Sequence, residues 1–172
     1  MKAPKSEKPK GAPEGTVWFG GPITWSRISL RIIGEHLNPD EVSAILGCQP
    51  TSFEQKGQPV LRPDGTVARI GRTGAWRLAL SPADTDEWDC GEAIMILMTR
   101  LPAGIEMWNS LSERFRVDFF IGLSMESRNK GFSLSPEVMK YLGERGIEAG
   151  FDIYCEDEAK ANEGTSPSSP PP

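Results

Sequence analysis

Two distant stretches of the chain start a helix with the same chemistry, and this repetition constrains the fold more than any other feature. In "LNPDEVSAILG" (37–47) a capping side chain, Asn38, precedes Pro39, then Asp40 and Glu41, and Gly47 closes the segment. In "LSPEVMKYLGERG" (134–146) Ser135, Pro136 and Glu137 take the same parts, and Gly143 or Gly146 closes it. A side-chain oxygen satisfies a free N–H of the first turn, proline fits there at no loss, and carboxylates suit the positive end of the helix dipole. Val42, Ile45 and Leu46 form the apolar stripe of the first helix, and Val138, Met139 and Leu142 that of the second.

Each helix lies between stretches of alternating polarity. Before the first, Ile28, Leu30 and Ile32 alternate with Arg27, Ser29 and Arg31; after it, beyond a long loop, Trp76, Leu78 and Leu80 share one side of "AWRLAL". Before the second, Val117, Phe119, Ile121, Leu123 and Met125 share a face. "RNKG" (128–131) then reads as a turn and "FSL" (132–134) as a short return strand. After the second helix, Ala149, Phe151, Ile153 and Cys155 share a face of the last strand. Period-two alternation predicts half-buried strands. The order strand–helix–strand therefore occurs twice.

Between the two units lie two further helices, one carrying Ile94, Leu97, Met98 and Leu101, the other Ile105, Trp108, Leu111 and Phe115, with Pro102 and Gly104 as the break. Strands that are apolar on one side need helices on that side only. The expected fold is α+β: a ferredoxin-like antiparallel sheet built from two βαβ-type units, helices on one face, and a two-helix insertion between the units.

The ends do not read as core. Residues 1–15 contain no large apolar side chain beyond Met1, and 158–172 are small, polar and rich in proline. Such segments bury too little to offset the entropy of ordering, so both are expected to be disordered around a single domain at 16–157. The longest apolar run, "AIMILM" (93–98), falls far short of the ~20 residues that span a bilayer, and no secretory signal is visible. Cys48, Cys90 and Cys155 are odd in number and widely spaced. Reduced thiols and a cytoplasmic location are expected.

The set "LRIIGEHLNPDEVSAILGCQPT", "GRTGAWRLAL" and "GFSLSPEVMKYLGERGIEAGFDIY" resembles the bacterial family described as domain of unknown function 4279, over residues 26–156. The resemblance implies no activity that can be assigned to a residue.

"GRTGAW" (71–76) has the glycine spacing of an anion loop but neither its lysine nor a following helix, so a backbone bend before a strand is expected, with Trp76 in the core. His36 is the sole histidine and is expected at a strand end. It makes no zinc pattern with the cysteines, and no metal site or cofactor is expected. Cys90 follows Asp84, Asp86, Glu87 and Asp89, which would hold its thiol protonated. That acidic run is expected to be a solvated helix start.

The open sheet face is the remaining candidate. Alternation places Arg27, Ser29, Arg31, Arg77, Asp118, Phe120, Ser124, Asp152 and Tyr154 on it. Arginines with aromatics suit stacked bases. The interleaved aspartates are equally met by ion pairing across strands, with Tyr154 or the stretch 16–25 covering Phe120. The binding candidates are Arg27, Arg31, Arg72, Arg77, Phe120 and Tyr154. The net charge of -5 argues against nucleic acid and favours a basic protein partner. The leading expectation is a non-enzymatic protein-binding module, with an immunity-type protein as one form and a homodimer as an option. The alternatives are a ligand or single-stranded nucleic-acid binder and, third, a hydrolase.

Overall fold

The computed structural model describes residues 25–80, 89–125 and 132–155. The expected leader and tail, the turn at 128–131 and most of the acidic run lie outside these residues. The elements run β1 (Trp25–Gly34), α1 (Pro39–Leu46), β2 (Ser52–Glu54), β3 (Pro59–Leu61), β4 (Val67–Ile70), β5 (Gly74–Ala79), α2 (Cys90–Thr99), α3 (Ile105–Arg114), β6 (Arg116–Met125), α4 (Pro136–Gly143) and β7 (Glu148–Cys155). The fold is α+β: one five-stranded sheet ordered β2-β5-β1-β6-β7, a two-stranded hairpin β3-β4, and four helices.

The helix starts are built as their residues dictate. Asn38 Oδ1 accepts from the Asp40 N–H at 3.0 Å, and Ser135 Oγ from the Val138 N–H at 3.3 Å. Gly47, at φ 67°, ends α1 in the left-handed conformation that glycine adopts freely. One core forms on one side of the sheet. Ile28, Leu30 and Ile32 of β1, Trp76 of β5, and Phe119 and Ile121 of β6 pack there with Ile94, Leu97, Trp108 and Leu111 of the inserted helices. Trp76 is fully buried, and its Nε1 donates to Ser43 Oγ at 3.0 Å. Ser43 Oγ in turn donates to the Pro39 carbonyl at 2.9 Å. This relay fixes β5 to α1 and satisfies the indole N–H inside the core.

Several expectations are corrected. The sheet is mixed, because β6 and β7 pair in parallel. The two units are also unlike. β6-α4-β7 is a parallel crossover, whereas β1 and β5 pair antiparallel, because the chain reverses through β2, β3 and β4 first. The expected long loop thus contains three short strands. Residues 132–135 form no strand. Met139 is exposed on α4, and on the apolar face of β7 only Ala149 packs against the core, with Phe151 39% and Ile153 52% exposed. Ile105 is exposed at the start of α3.

Candidate functional site

The open face of the sheet carries a chain of ion pairs. The register places Arg31 of β1 directly opposite Arg77 of β5 on one side and Asp118 of β6 on the other. Two like charges abreast repel. Each arginine meets a carboxylate. Arg31 Nε and Nη2 donate to Asp118 at 2.6 and 2.8 Å. Arg77 reaches Glu54 of β2 at 2.9 Å. Both carboxylates are buried and hold a second arginine: Asp118 pairs with Arg116 at 3.1 Å, and Glu54 with Arg69 at 2.6 Å. Arg116 also reaches Glu148 on β7 at 3.1 Å. Charge on this face is therefore mostly neutralised where it stands.

The candidate residues separate accordingly. Arg31 and Phe120 come together, with the guanidinium carbon 4.6 Å from the ring centroid. The arginine thus lies over the face on which a base would stack. Phe120 pairs in register with Gly150, whereas Tyr154 lies beside Ser124. Those rows are four residues apart, roughly 13 Å along the strand. Tyr154 is therefore not the cross-strand cover expected for Phe120. Its hydroxyl donates to Asp152 at 2.5 Å, and that bond to a carboxylate raises its pKa. Arg27 is exposed on β1. Arg72 lies off the sheet, in the connection from β4 to β5.

The glycines of "GRTGAW" serve close packing. A Cβ on Gly71 would stand 2.4 Å from the Gln55 carbonyl oxygen, and one on Gly74 2.3 Å from that of Leu37. Neither glycine has a positive φ. Both are sites where another backbone approaches.

The sequence reading missed the β3-β4 hairpin, although "RPDGT" (62–66) carries its signal. Gly65 takes φ 83°, and the Arg62 N–H donates to the Thr66 carbonyl at 2.8 Å. Across the ladder Pro59 faces Ile70, and Leu61 faces Val67 after a bulge. Leu61 is 60% exposed, and Val67 and Ile70 are each 53% exposed. Arg69, whose register partner is Val60, ties the hairpin to the sheet through Glu54. The role of Glu54 was missed as well, since a three-residue strand shows little alternation.

Nucleophilic chemistry finds little footing. Cys90, buried as the first residue of α2, has its thiol pushed up to about 12 by burial and by the neighbouring Asp89. Cys48 borders an open hollow of about 390 Å³ beside α1, and partial burial raises its thiol too. His36 is exposed beyond the end of β1. Among the described residues no three acidic, cysteine or histidine side chains gather as a metal site would need, and no helix is long and apolar enough to cross a membrane.

No curated protein and no solved structure matches the chain. One family model does, the one described as "Domain of unknown function (DUF4279)", over residues 24–156. That span holds every described element from β1 to β7, ion-paired face and hairpin included, and the chain belongs to the DUF4279 family.

Proposed function

We propose that this protein is a small, non-enzymatic protein-binding module that docks its partner on the β3-β4 hairpin. One observation carries the reading: Pro59, Leu61, Val67 and Ile70 occupy paired positions on a two-stranded hairpin and are all exposed. A lone hairpin gains little by presenting such side chains to water, and contiguous apolar surface marks interaction sites. The rim narrows the partner. Arg62 donates to Thr66 Oγ1 and the Val67 carbonyl but to no carboxylate, and Arg72 is exposed without an ion pair among the described residues. They favour a partner with carboxylates around an apolar centre. The chain's charge of -5 favours a basic partner at a distance, but beyond a Debye length of ~8 Å salt screens that preference. An immunity-type role, in which binding neutralises another protein, is one form of this function.

A nucleic-acid or ligand role for the open face is the weaker reading, since Arg31 and Arg77 would first have to leave buried carboxylates. The test compares the full chain with Leu61→Asp/Ile70→Asp, both immobilised in lysate of the source organism. The expected result is one protein retained in stoichiometric amount by the parent and lost from the variant, at equal melting temperature. Equal retention on both, or nucleic acid as the sole bound species, overturns the reading.

A further inference from the structure

Among the described residues β2 and β7 are the outer strands of the sheet, and they are built differently. An edge is blunted by brevity, lysine, proline or a bulge. β2 has three residues. β7 has eight, "EAGFDIYC", with no lysine, arginine or proline, and it pairs with β6 without a register shift. Its charges are two acids, Glu148 and Asp152. Alternation puts Ala149, Phe151 and Ile153 on one face and Glu148, Gly150, Asp152 and Tyr154 on the other. Ala149 packs against the core, while Phe151 and Ile153 are exposed beside it. Phe132 adds a third exposed side chain, its ring 4.9 Å from that of Phe151.

The placing of the two acids decides how this strand can meet a second copy of itself. A two-fold axis normal to the sheet sets the strands antiparallel and keeps each face on its own side, so the axis passes through one residue. Through Gly150 it sets Glu148 opposite Asp152, and through Asp152 it sets that carboxylate opposite itself. Like charges abreast repel. Through Ala149 or Ile153 it shortens the ladder, because the strand runs only from Glu148 to Cys155. Through Phe151 it opposes no two acids and pairs residues 148–154 throughout. Phe151 then faces Phe151, and Ala149 faces Ile153, apolar against apolar. On the other face Gly150, which has no side chain, stands opposite Asp152, whose carboxylate accepts from the Tyr154 hydroxyl at 2.5 Å. Glu148, held by Arg116 at 3.1 Å, stands opposite Tyr154.

We infer that β7 is an interface for a second copy of this chain, paired antiparallel about a two-fold axis through Phe151, with Phe151 and Ile153 of both copies forming its apolar side. The two sheets then run on as one across the axis. Such a contact uses the same edge of both copies, so it closes at two and does not propagate. β7 lies across the sheet from β2, the strand to which Arg69 ties the hairpin, so the inference stands apart from the proposed partner surface.

Sedimentation equilibrium of the full chain tests it. The parent is expected to be a dimer in reversible exchange with monomer. Phe151→Lys and Phe151→Asp set like charges abreast on the axis, and each is expected to be monomeric with the circular dichroism of the parent. An equimolar mixture of the two is expected to regain the dimer, because lysine then faces aspartate. Phe151→Ser serves if a charge variant fails to fold; its dissociation constant is expected to rise about tenfold or more, and an unchanged one overturns the inference. A parent that is monomeric at every concentration overturns it and leaves the strip to other residues of this chain or to a different molecule. A dimer that survives in both charge variants overturns it by placing the contact elsewhere, and a mixture that stays monomeric overturns the register and the inference with it. Leu61→Asp/Ile70→Asp is expected to remain a dimer; a dimer lost there overturns the inference in favour of the hairpin.

Discussion

Arg31 holds both carboxylate oxygens of Asp118 across the β1-β6 ladder, through Nε at 2.6 Å and Nη2 at 2.8 Å. The carboxylate is fully buried while the arginine keeps about a quarter of its side chain in water. Removing a buried partner is costly because the other charge loses its compensation. Here Arg31 and Arg116 can both turn to solvent, which lowers the cost. Asp118→Ala is expected to destabilise by about 2–3 kcal/mol in urea unfolding. Arg31→Met/Asp118→Ala is expected to recover part of that loss. A single variant within error of the parent would show that the pair contributes nothing net.

Two glycines give opposite outcomes. A methyl on Gly74 meets the Leu37 carbonyl oxygen at 2.3 Å and its Cβ at 2.8 Å, so backbone must shift. Gly74→Ala is expected to destabilise by about 1–3 kcal/mol, as overpacking does. Gly143, the last residue of α4, has open space around it and no positive φ. Gly143→Ala is expected to stabilise by about 0.4–1 kcal/mol by restricting the unfolded chain. Thermal melting reads both, and the same sign for the two would contradict the packing described.

Trp108 is fully buried in α3, and its Nε1 donates to the Pro102 carbonyl at 2.8 Å. Trp108→Ala is expected to cost about 3–5 kcal/mol through the cavity it leaves. Trp108→Phe keeps much of the volume but loses that hydrogen bond, and about 1 kcal/mol is expected. Equal effects in chemical denaturation would mean that the bond, not the ring, fastens the inserted helices.

Cys90 predicts an alkaline loss of stability. Burial first, and then Asp89, raise its thiol from an ordinary 9.0 to about 12 in the folded chain. Below pH 9 both states hold the proton, and the folded state has its full advantage. Between pH 9 and about 12 the unfolded chain gives up the proton first, so stability falls as pH rises, by up to ~1.4 kcal/mol per pH unit from this group. Cys90→Ala is expected to show a shallower decline than the parent in urea titrations across that window. Identical slopes would remove Cys90 as the cause.

Local chemistry was legible in the sequence. Asn38, Pro39 and Gly47 mark α1 by residue type alone, as Ser135 and Pro136 mark the start of α4. Alternation placed Leu30, Trp76 and Phe119 inside without fixing strand direction, since parallel and antiparallel neighbours leave the same pattern. Hence β1 and β5 were expected to form a βαβ unit like β6 and β7, yet only the later pair is parallel. The ion-paired face was half legible. Arg31 and Asp118 stand in long alternating strands. Glu54 and Arg69 meet between separate short strands, and Arg116, two residues before Asp118 on β6, also reaches Glu148 of β7; no local period reports those pairings between strands.

β1 stands between β5 and β6, with Ser29 beside Ala79 on one side and Phe120 on the other. A ribosome adding about 5–20 residues per second emits Phe120 on the order of 5–20 s after Ser29. Throughout that interval β1 can complete at most one of its two ladders. Ile28, Leu30 and Ile32 wait for helices and a strand not yet synthesised. The centre of the finished sheet is therefore the part of the nascent chain with the longest need of a chaperone.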